Sequence, residues 1–257
     1  MPPFNLAIPD GAITHDAYKA MVLQLAPDGE DDAEQQIRME LERKFGRDLG
    51  RALDDQLQQL IPDNATDEQV RAAVHQVTAT SDGVRAVLRQ SLEQSSSLGV
   101  SVALDTLEQI GMGFDWTLAH EKAARFASQY SYELVQGINT TSTARLQTAI
   151  NDWFREPTTI GDLQKELEPT FGKRRAKTIA QTETTRASFR GSVIGYEQSG
   201  VVSEMEFVTV NDELVCPQCG PLNGKRAPLQ GTFPGGYTIP VHINCRCFAR
   251  PVISEPS

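Results

Sequence analysis

All four cysteines of this 257-residue chain lie in its last 42 residues, as Cys216-Pro-Gln-Cys219 and, further on, His242-Ile-Asn-Cys245-Arg-Cys247. The 215 residues before them contain none. Two close clusters separated by a loop are the pattern of a metal clip or of a pair of disulfides. Either one would staple a segment too short to hold itself together by burying apolar surface alone. The tail is thereby constrained to a small cross-linked structure, and the remainder of the chain has to fold without such a clip.

The remainder has the means to do so. At 39% hydrophobic residues the chain can bury a sizeable core and is not compositionally disordered. Its first residues, Met-Pro-Pro-Phe-Asn-Leu-Ala-Ile-Pro-Asp, lack the basic and apolar regions of a signal peptide. No apolar run approaches the length of a membrane span. These features read as a soluble protein made in a reducing cytoplasm, where paired thiols favour metal over disulfide. The net charge of −10 is unevenly spread. Residues 1–100 carry 9 Lys/Arg against 17 Asp/Glu, residues 101–170 carry 5 against 10, and residues 171–257 carry 10 against 7. Neutralising phosphates supplies most non-specific affinity for nucleic acid, so only the last third is suited to approach DNA. The acidic front is better suited to a solvated face or to docking a basic partner.

The hydrophobic pattern predicts a mainly α protein with a small β C-terminal subdomain, an α+β chain in which a helical body carries a Cys/His-stapled strand-loop-strand tail. Ile37, Leu41, Phe45, Leu49, Leu53, Leu57 and Leu60 recur at helical steps. A step of four drifts about 40° at each repeat on a helix of 3.6 residues per turn, so this stripe winds around its helix and calls for several packing neighbours. Gly46 and Gly50 are places where it could bend. Thr66 is a candidate N-cap. Ser95-Ser96-Ser97-Leu98-Gly99 reads as a loop or as a polar stretch of a longer helix. Gly111-Met112-Gly113-Phe114-Asp115 reads as a break, and Asn139-Thr140-Thr141-Ser142-Thr143 as a turn. A short helix opens at Pro157-Thr158-Thr159 and ends near Pro169 and Gly172, and a long one spans Lys173 to Gln198. Glu206 to Val210 reads as a strand, with Asn223-Gly224 as a hairpin signal. Three regions follow: an unassigned helical region over 1–120, a second helical region over 121–200, and the β tail over 201–257.

Zinc takes four ligands in tetrahedral geometry, and a Cys-x-x-Cys turn lets two thiolates reach one ion. His242-x-x-Cys245 repeats the two-residue gap. Cys216, Cys219, His242 and Cys245 thus form a set of three thiolates and one imidazole, with Cys247 as a fifth candidate able to replace His242. A structural zinc, a disulfide-stapled tail and free thiols are all compatible with this pattern. A zinc deaminase would need a His-x-Glu, which none of the four histidines begins, and no second histidine lies near His242 to make a His-Asn nuclease. No catalytic constellation is complete, so the expectation is a protein that is not an enzyme. Glu183 is expected to pair with Arg186 on the same helix, and Thr182, Thr184 and Thr185 to pack or bond locally. Lys173, Arg174, Arg175, Lys177, Arg186 and Arg190 form the strongest basic cluster, either a solvated helix face or a contact for DNA or an acidic partner.

Several of these pieces together resemble a known family. Gln181-Thr182-Glu183-Thr184-Thr185-Arg186-Ala187 is similar to the Arg-Thr-Glu-Thr helix of the phage Mu F-like minor head proteins, the phage head morphogenesis family. So are Gly195-Tyr196-Glu197-Gln198-Ser199-Gly200-Val201, a following strand, Asp212, Cys216-Pro217-x-Cys219, Gly224, Phe233-Pro234 and Pro240-x-His242-x-x-Cys245-Arg246-Cys247, in that order. The resemblance covers about residues 121–253 and does not reach the first 120. Two positions depart from it: Gln181 stands where members often have Arg, and Phe207 where they often have Trp. The resemblance implies a minor virion component, assembled in the host cytoplasm and acting at or near the portal vertex in head morphogenesis. Its implied partners are the portal protein, the major capsid or scaffold protein and the packaged DNA, with no membrane. The alternative is a zinc-knuckle protein that contacts packaged DNA. A particle that leaves the cell would also keep disulfides open as the staple.

Overall fold

A computed structural model describes residues 6–25, 33–112, 116–156, 158–210 and 215–253. Its helices are α1 (His15–Leu25), α2 (Ala33–Leu60), α3 (Asp67–Gln76), α4 (Asp82–Glu108), α5 (Trp116–Arg155), α6 (Ile160–Phe171) and α7 (Lys173–Ser199). Three short strands follow, β1 (Glu204–Val208), β2 (Arg226–Pro228) and β3 (Phe248–Val252), with a 3-10 turn at Gly220–Leu222 before β2. The α+β expectation is borne out. The chain forms two compact units, each discontinuous in sequence, which cut across the three regions expected from the sequence. One comprises Glu42–Ser91 and Ser128–Ala180; the other comprises Met1–Leu41, Leu92–Ala127 and Gln181–Ser257.

The first of these, the helical unit, is built on a single apolar cluster. Phe45, Leu49, Leu53 and Leu57 of α2 join Leu146 and Ile150 of α5, Leu163, Leu167 and Phe171 of α6, and Ala176 and Ala180 of α7. α2 runs unbroken through Gly46 and Gly50. A Cβ at either would sit 3.5 to 3.8 Å from α7 atoms, which is ordinary contact. Capping boxes start α3 at Thr66 and α6 at Thr159, each reciprocated by the side chain three residues on. Pro169 lies inside α6, which runs on to Phe171. Pro157 lies outside the described residues.

The Asn139–Thr143 run is not a turn: α5 passes straight through it. Thr140 and Thr141 donate their hydroxyls to the carbonyls of Gln136 and Gly137 four residues back. Asn139 donates to Ser81 Oγ, and Ser142 accepts from Arg175. The hydroxyls of Thr140, Thr141 and Ser142 are thus bonded without interrupting the helix, while the buried Asn139 Oδ1 has no partner among the described residues.

In the second, the mixed unit, the Ser95–Gly99 stretch is helical and lies within α4. It packs against α7 at very close range. A Cβ at Gly99 would fall 2.0 Å from the Ser188 carbonyl oxygen, and one at Gly191 would fall 1.9 Å from that of Ser96. Only glycine allows the two backbones to meet there. Ser192 donates to the Gly99 carbonyl across the contact (3.1 Å). Ile37 and Leu41, the first members of the α2 stripe, pack with α1 residues Tyr18, Met21 and Val22. Of the break expected at Gly111–Asp115, Gly111 and Met112 follow the end of α4, and residues 113–115 lie outside the described residues.

The sheet order is β2-β1-β3, with both pairs antiparallel. Phe207 at its centre is fully buried and meets Phe233 edge-on at 5.1 Å between ring centroids. Phe207 exchanges backbone bonds with Lys225 and Gly224 on the β2 side. By alternation along an antiparallel pair, Pro251 opposite Met205 turns its missing N–H to the outer edge of β3, the position where a strand tolerates proline. Asn223-Gly224 does not close a tight hairpin, because β1 and β2 are separated by a long connection. Instead Asn223 Oδ1 accepts the Thr209 N–H (3.0 Å), and Gly224 takes a positive φ of 74°.

Candidate metal centre

The turn after β1 begins at Cys216. The amides of Cys219 and Gly220 both donate to the Cys216 carbonyl, which folds Cys-Pro-Gln-Cys into a loop with both sulfurs on one side. The Cys219 N–H also lies 3.3 Å from Cys216 Sγ. The second cluster sits on a turn closed by the Cys245 N–H on the His242 carbonyl. Asn244 at its tip has a φ of 63°, a left-handed conformation that asparagine accepts more readily than most residues.

The two loops bring all five candidates together in two overlapping triads. Cys216, Cys219 and His242 form one, and Cys219, Cys245 and Cys247 form the other. Cys219 belongs to both. His242 Nε2 lies 2.9 Å from Cys216 Sγ and 3.3 Å from Cys219 Sγ. Cys219 Sγ and Cys245 Sγ are 3.9 Å apart. A tetrahedral zinc with bonds near 2.3 Å to sulfur and 2.0 Å to nitrogen spaces its ligands ~3.8 Å for S–S and ~3.6 Å for S–N. The Cys219–Cys245 edge already matches, and the S–N edges need to open by about 0.3 Å at Cys219 and about 0.7 Å at Cys216. The His242 Nδ1 lies 2.7 Å from the Ile243 carbonyl, which can only accept. In the neutral ring the proton therefore sits on Nδ1, and Nε2 turns its lone pair toward the sulfurs. The donor set suits zinc in chemistry, and each triad gathers three donors; Cys245 stands outside the triad of Cys216, Cys219 and His242, so a four-ligand site needs the two loops to draw closer.

The thiols do not share one acidity. Hydrogen bonding from Cys247 outweighs burial and pulls the Cys245 thiol down to about 5, while the same contact and burial push Cys247 up. Burial raises Cys219 to about 12. At Cys216 burial acts upward but is overcome by bonds from the backbone of Cys219 and Gln218, so its pKa falls. At His242 burial acts downward and is overcome by the Ile243 carbonyl and the Cys245 and Cys216 sulfurs, so its pKa rises. A cation in the cluster would be met by one readily formed thiolate at Cys245 and would draw the others into the charged form.

The helix motif that carries much of the resemblance lies against this loop. Thr185 Oγ1 donates to the Cys245 carbonyl (2.7 Å), and the Asn244 N–H donates to Thr182 Oγ1 (3.0 Å). Gln181 Nε2 donates to the Asn244 carbonyl (3.3 Å). Thr182 and Thr185 were expected to bond locally, and they reach residues some sixty positions away in sequence. Thr184, between them, is fully buried and its hydroxyl has no partner among the described residues. Glu183 pairs with Arg186 as expected, at 3.0 Å. A residue that sequence reasoning did not single out also takes part. Arg38 of α2, 6% exposed, donates from Nη2 to the Arg246 carbonyl. Its only sequence signal is a guanidinium one position after the buried Ile37 of the α2 stripe.

The basic candidates divide between the units. Lys173, Arg174 and Lys177 are exposed in the helical unit. Arg175 is half-buried there and donates to the Thr170 and Ile138 carbonyls and to Ser142 Oγ, so it closes the end of α6. Arg186 and the exposed Arg190 belong to the mixed unit, and Arg190 lies 3.7 Å from Glu197. Asp212 lies outside the described residues. Among the described residues no helix is long and apolar enough to cross a membrane.

Residues 144–250 match the family model described as Phage Mu protein F like protein. Searches of curated proteins and of solved structures return no match.

Proposed function

From a chain whose residues 144–250 are Mu F-like, we propose a structural protein of a phage head that takes part in head morphogenesis at or near the portal vertex. The observation that carries this reading is the extent of the match: it runs from the C-terminal end of α5 into β3 and takes in the whole Cys/His cluster. The portal protein and the major capsid or scaffold protein are the partners this role requires. Mass spectrometry of purified procapsids and virions tests it, with capture on purified portal protein as the second arm. Absence from both particles together with no binding to portal would sink it.

Within that role the Cys/His cluster is a structural zinc site. Cys216, Cys219, His242 and Cys245 supply the four tetrahedral positions, and Cys247 is a buried fifth donor beside Cys219 and Cys245. Four protein donors leave no position open for water, which is the arrangement of a structural rather than a catalytic zinc. Elemental analysis should find one zinc per chain. A metal-free protein with no reactive thiols would point to disulfides instead.

A second reading, contact with packaged DNA, draws on the exposed Lys173, Arg174 and Lys177. Each phosphate contact adds to the salt dependence of binding. Gel-shift titration across a salt series tests it, and no shift at low salt removes it.

A further inference from the structure

The backbone of residues 244–246 is held at every position by a side chain from a helix. Thr182 accepts the Asn244 N–H and Gln181 donates to its carbonyl. Thr185 donates to the Cys245 carbonyl, and Arg38 donates to the Arg246 carbonyl. These three residues include one metal-ligand candidate, adjoin a second, Cys247, and are separated by one residue from a third, His242. Thr182 is 8% exposed, Thr185 1% and Arg38 6%, so water competes poorly for these bonds. Arg38 lies far upstream of the family match, so part of the support comes from outside it.

We infer that Thr182, Thr185 and Arg38 are positioning residues of the metal site: they fix the 244–246 backbone so that Cys245, His242 and Cys247 are presented to the Cys216–Cys219 turn before the ion arrives. This rests on the zinc reading above. A loop held in advance binds metal more tightly than one that has to be ordered on binding, because the ordering cost is already met by the fold. Metal occupancy and docking of the loop on α7 and α2 are then linked, and each strengthens the other. Thr184 supplies the contrast. It lies on the same helix between the two anchoring threonines, equally buried, and bonds to nothing in the loop.

The test is zinc affinity of the full chain, measured by competition with a chromogenic chelator, for the wild type, Thr185→Val, Thr185→Ser and Thr184→Val. Outer-shell partners of metal sites typically contribute about 10- to 100-fold in affinity, and Thr185→Val is expected to lose zinc affinity in that range. Thr185→Ser, which keeps the hydroxyl, should restore it, and Thr184→Val should bind as the wild type does. Hydrogen exchange on the metal-free protein gives a second readout: Thr185→Val should raise the exchange of the Asn244 and Cys245 amides while α6 is unaltered. Arg38→Met is a coarser probe, since Arg38 also opposes the burial that raises the Glu34 pKa. Wild-type affinity in Thr185→Val overturns the inference and leaves the zinc reading standing. An equal loss in Thr184→Val also overturns it, because general loosening of α7 would then be the cause. A wild type that takes up no zinc overturns the zinc reading, and the inference with it.

Discussion

The two compact units hold themselves together by different means. The helical unit gathers its apolar side chains into one cluster drawn from α2 through α7, and the hydroxyls of Thr140, Thr141 and Ser142 on α5 are bonded within the helix or by Arg175. The mixed unit divides its apolar side chains among three clusters. Much of what it buries is hydroxyl, including Ser95, Ser96, Ser97, Ser101, Thr182, Thr184 and Thr185. Burial of area is forgiving of shape, since a core tolerates hydrophobic exchange at nearly constant volume. Bonds of fixed length between backbones, hydroxyls and sulfurs are not forgiving, and a buried group that loses its partner costs more than the bond contributed. The helical unit should therefore respond in proportion to lost volume, and the mixed unit should respond sharply to changes of one or two atoms.

The largest expected effect is on the mixed unit alone. Cys219 belongs to both donor triads, so Cys219→Ala should abolish tight zinc binding. Structural zinc contributes on the order of 10 kcal/mol to small metal-stapled folds. Hydrogen exchange should show β1, β2 and β3 losing protection while α6 keeps it; equal loss in both units would erase the distinction drawn between them. Next comes Phe171→Ala in the helical unit, where a fully buried ring is removed. It should cost about 3–5 kcal/mol by denaturant unfolding, with zinc affinity unchanged.

Gly191→Ala should cost about 1–3 kcal/mol or more, because one added methyl has to push α7 off the Ser96 carbonyl. The matching change in the helical unit, Gly46→Ala, meets only ordinary contacts at 3.6 and 3.7 Å. It should be neutral or stabilising, since alanine is the better helix former. If the two variants unfolded at the same denaturant concentration, close backbone packing would not distinguish the units.

The smallest effect concerns Glu108, whose carboxylate meets Lys19 Nζ at 2.7 Å and His15 Nε2 at 3.3 Å. The Lys19 bond, opposed by burial and helped by His15, lowers its pKa below the usual 4.5. A lowered folded pKa means stability that is present above pH 4.5 and lost as pH falls through the lowered value. Glu108→Gln should therefore be slightly less stable than the wild type at neutral pH, and the gap should close in acid. The carboxylate is 40% exposed, so solvent screening keeps the gap small. A gap that stayed constant with pH would mean the ion pair contributes nothing.

What could be read from the sequence was what local chemistry decides. The α2 stripe, the short α6 and the long α7 follow from periodicity and punctuation, and the strand expected over Glu206–Val210 is found two residues earlier, at Glu204–Val208. The drift of the α2 stripe was informative as well: Ile37 and Leu41 pack in one cluster, and Phe45 through Leu60 in another. The Cys/His set was legible because thiols have few other reasons to cluster. Polar stretches were ambiguous or misleading. Ser95–Gly99, open between loop and helix, is helical because α7 approaches closely enough to use its small residues. Asn139–Thr143 is helical where a turn was expected, because its hydroxyls turn back on their own helix. The second outcome depends on a choice between turn and helix that the same hydroxyls serve equally well. The first depends on a partner that no local window contains. The same holds for Arg38 and Thr185, whose targets are backbone carbonyls at Arg246 and Cys245 and leave no trace in side-chain identity.

The interleaving of the two units sets a timetable during synthesis. Every residue of the helical unit has been made once Ala180 is joined to the chain. The mixed unit needs Met1–Leu41 but also Gln181–Ser257, which follows all of the helical unit in sequence. Arg38 therefore waits while 208 further residues are joined for the Arg246 carbonyl it binds. Arg246 lies between Cys245 and Cys247, so the contact that ties the two segments together becomes possible only as the set of sulfurs is completed.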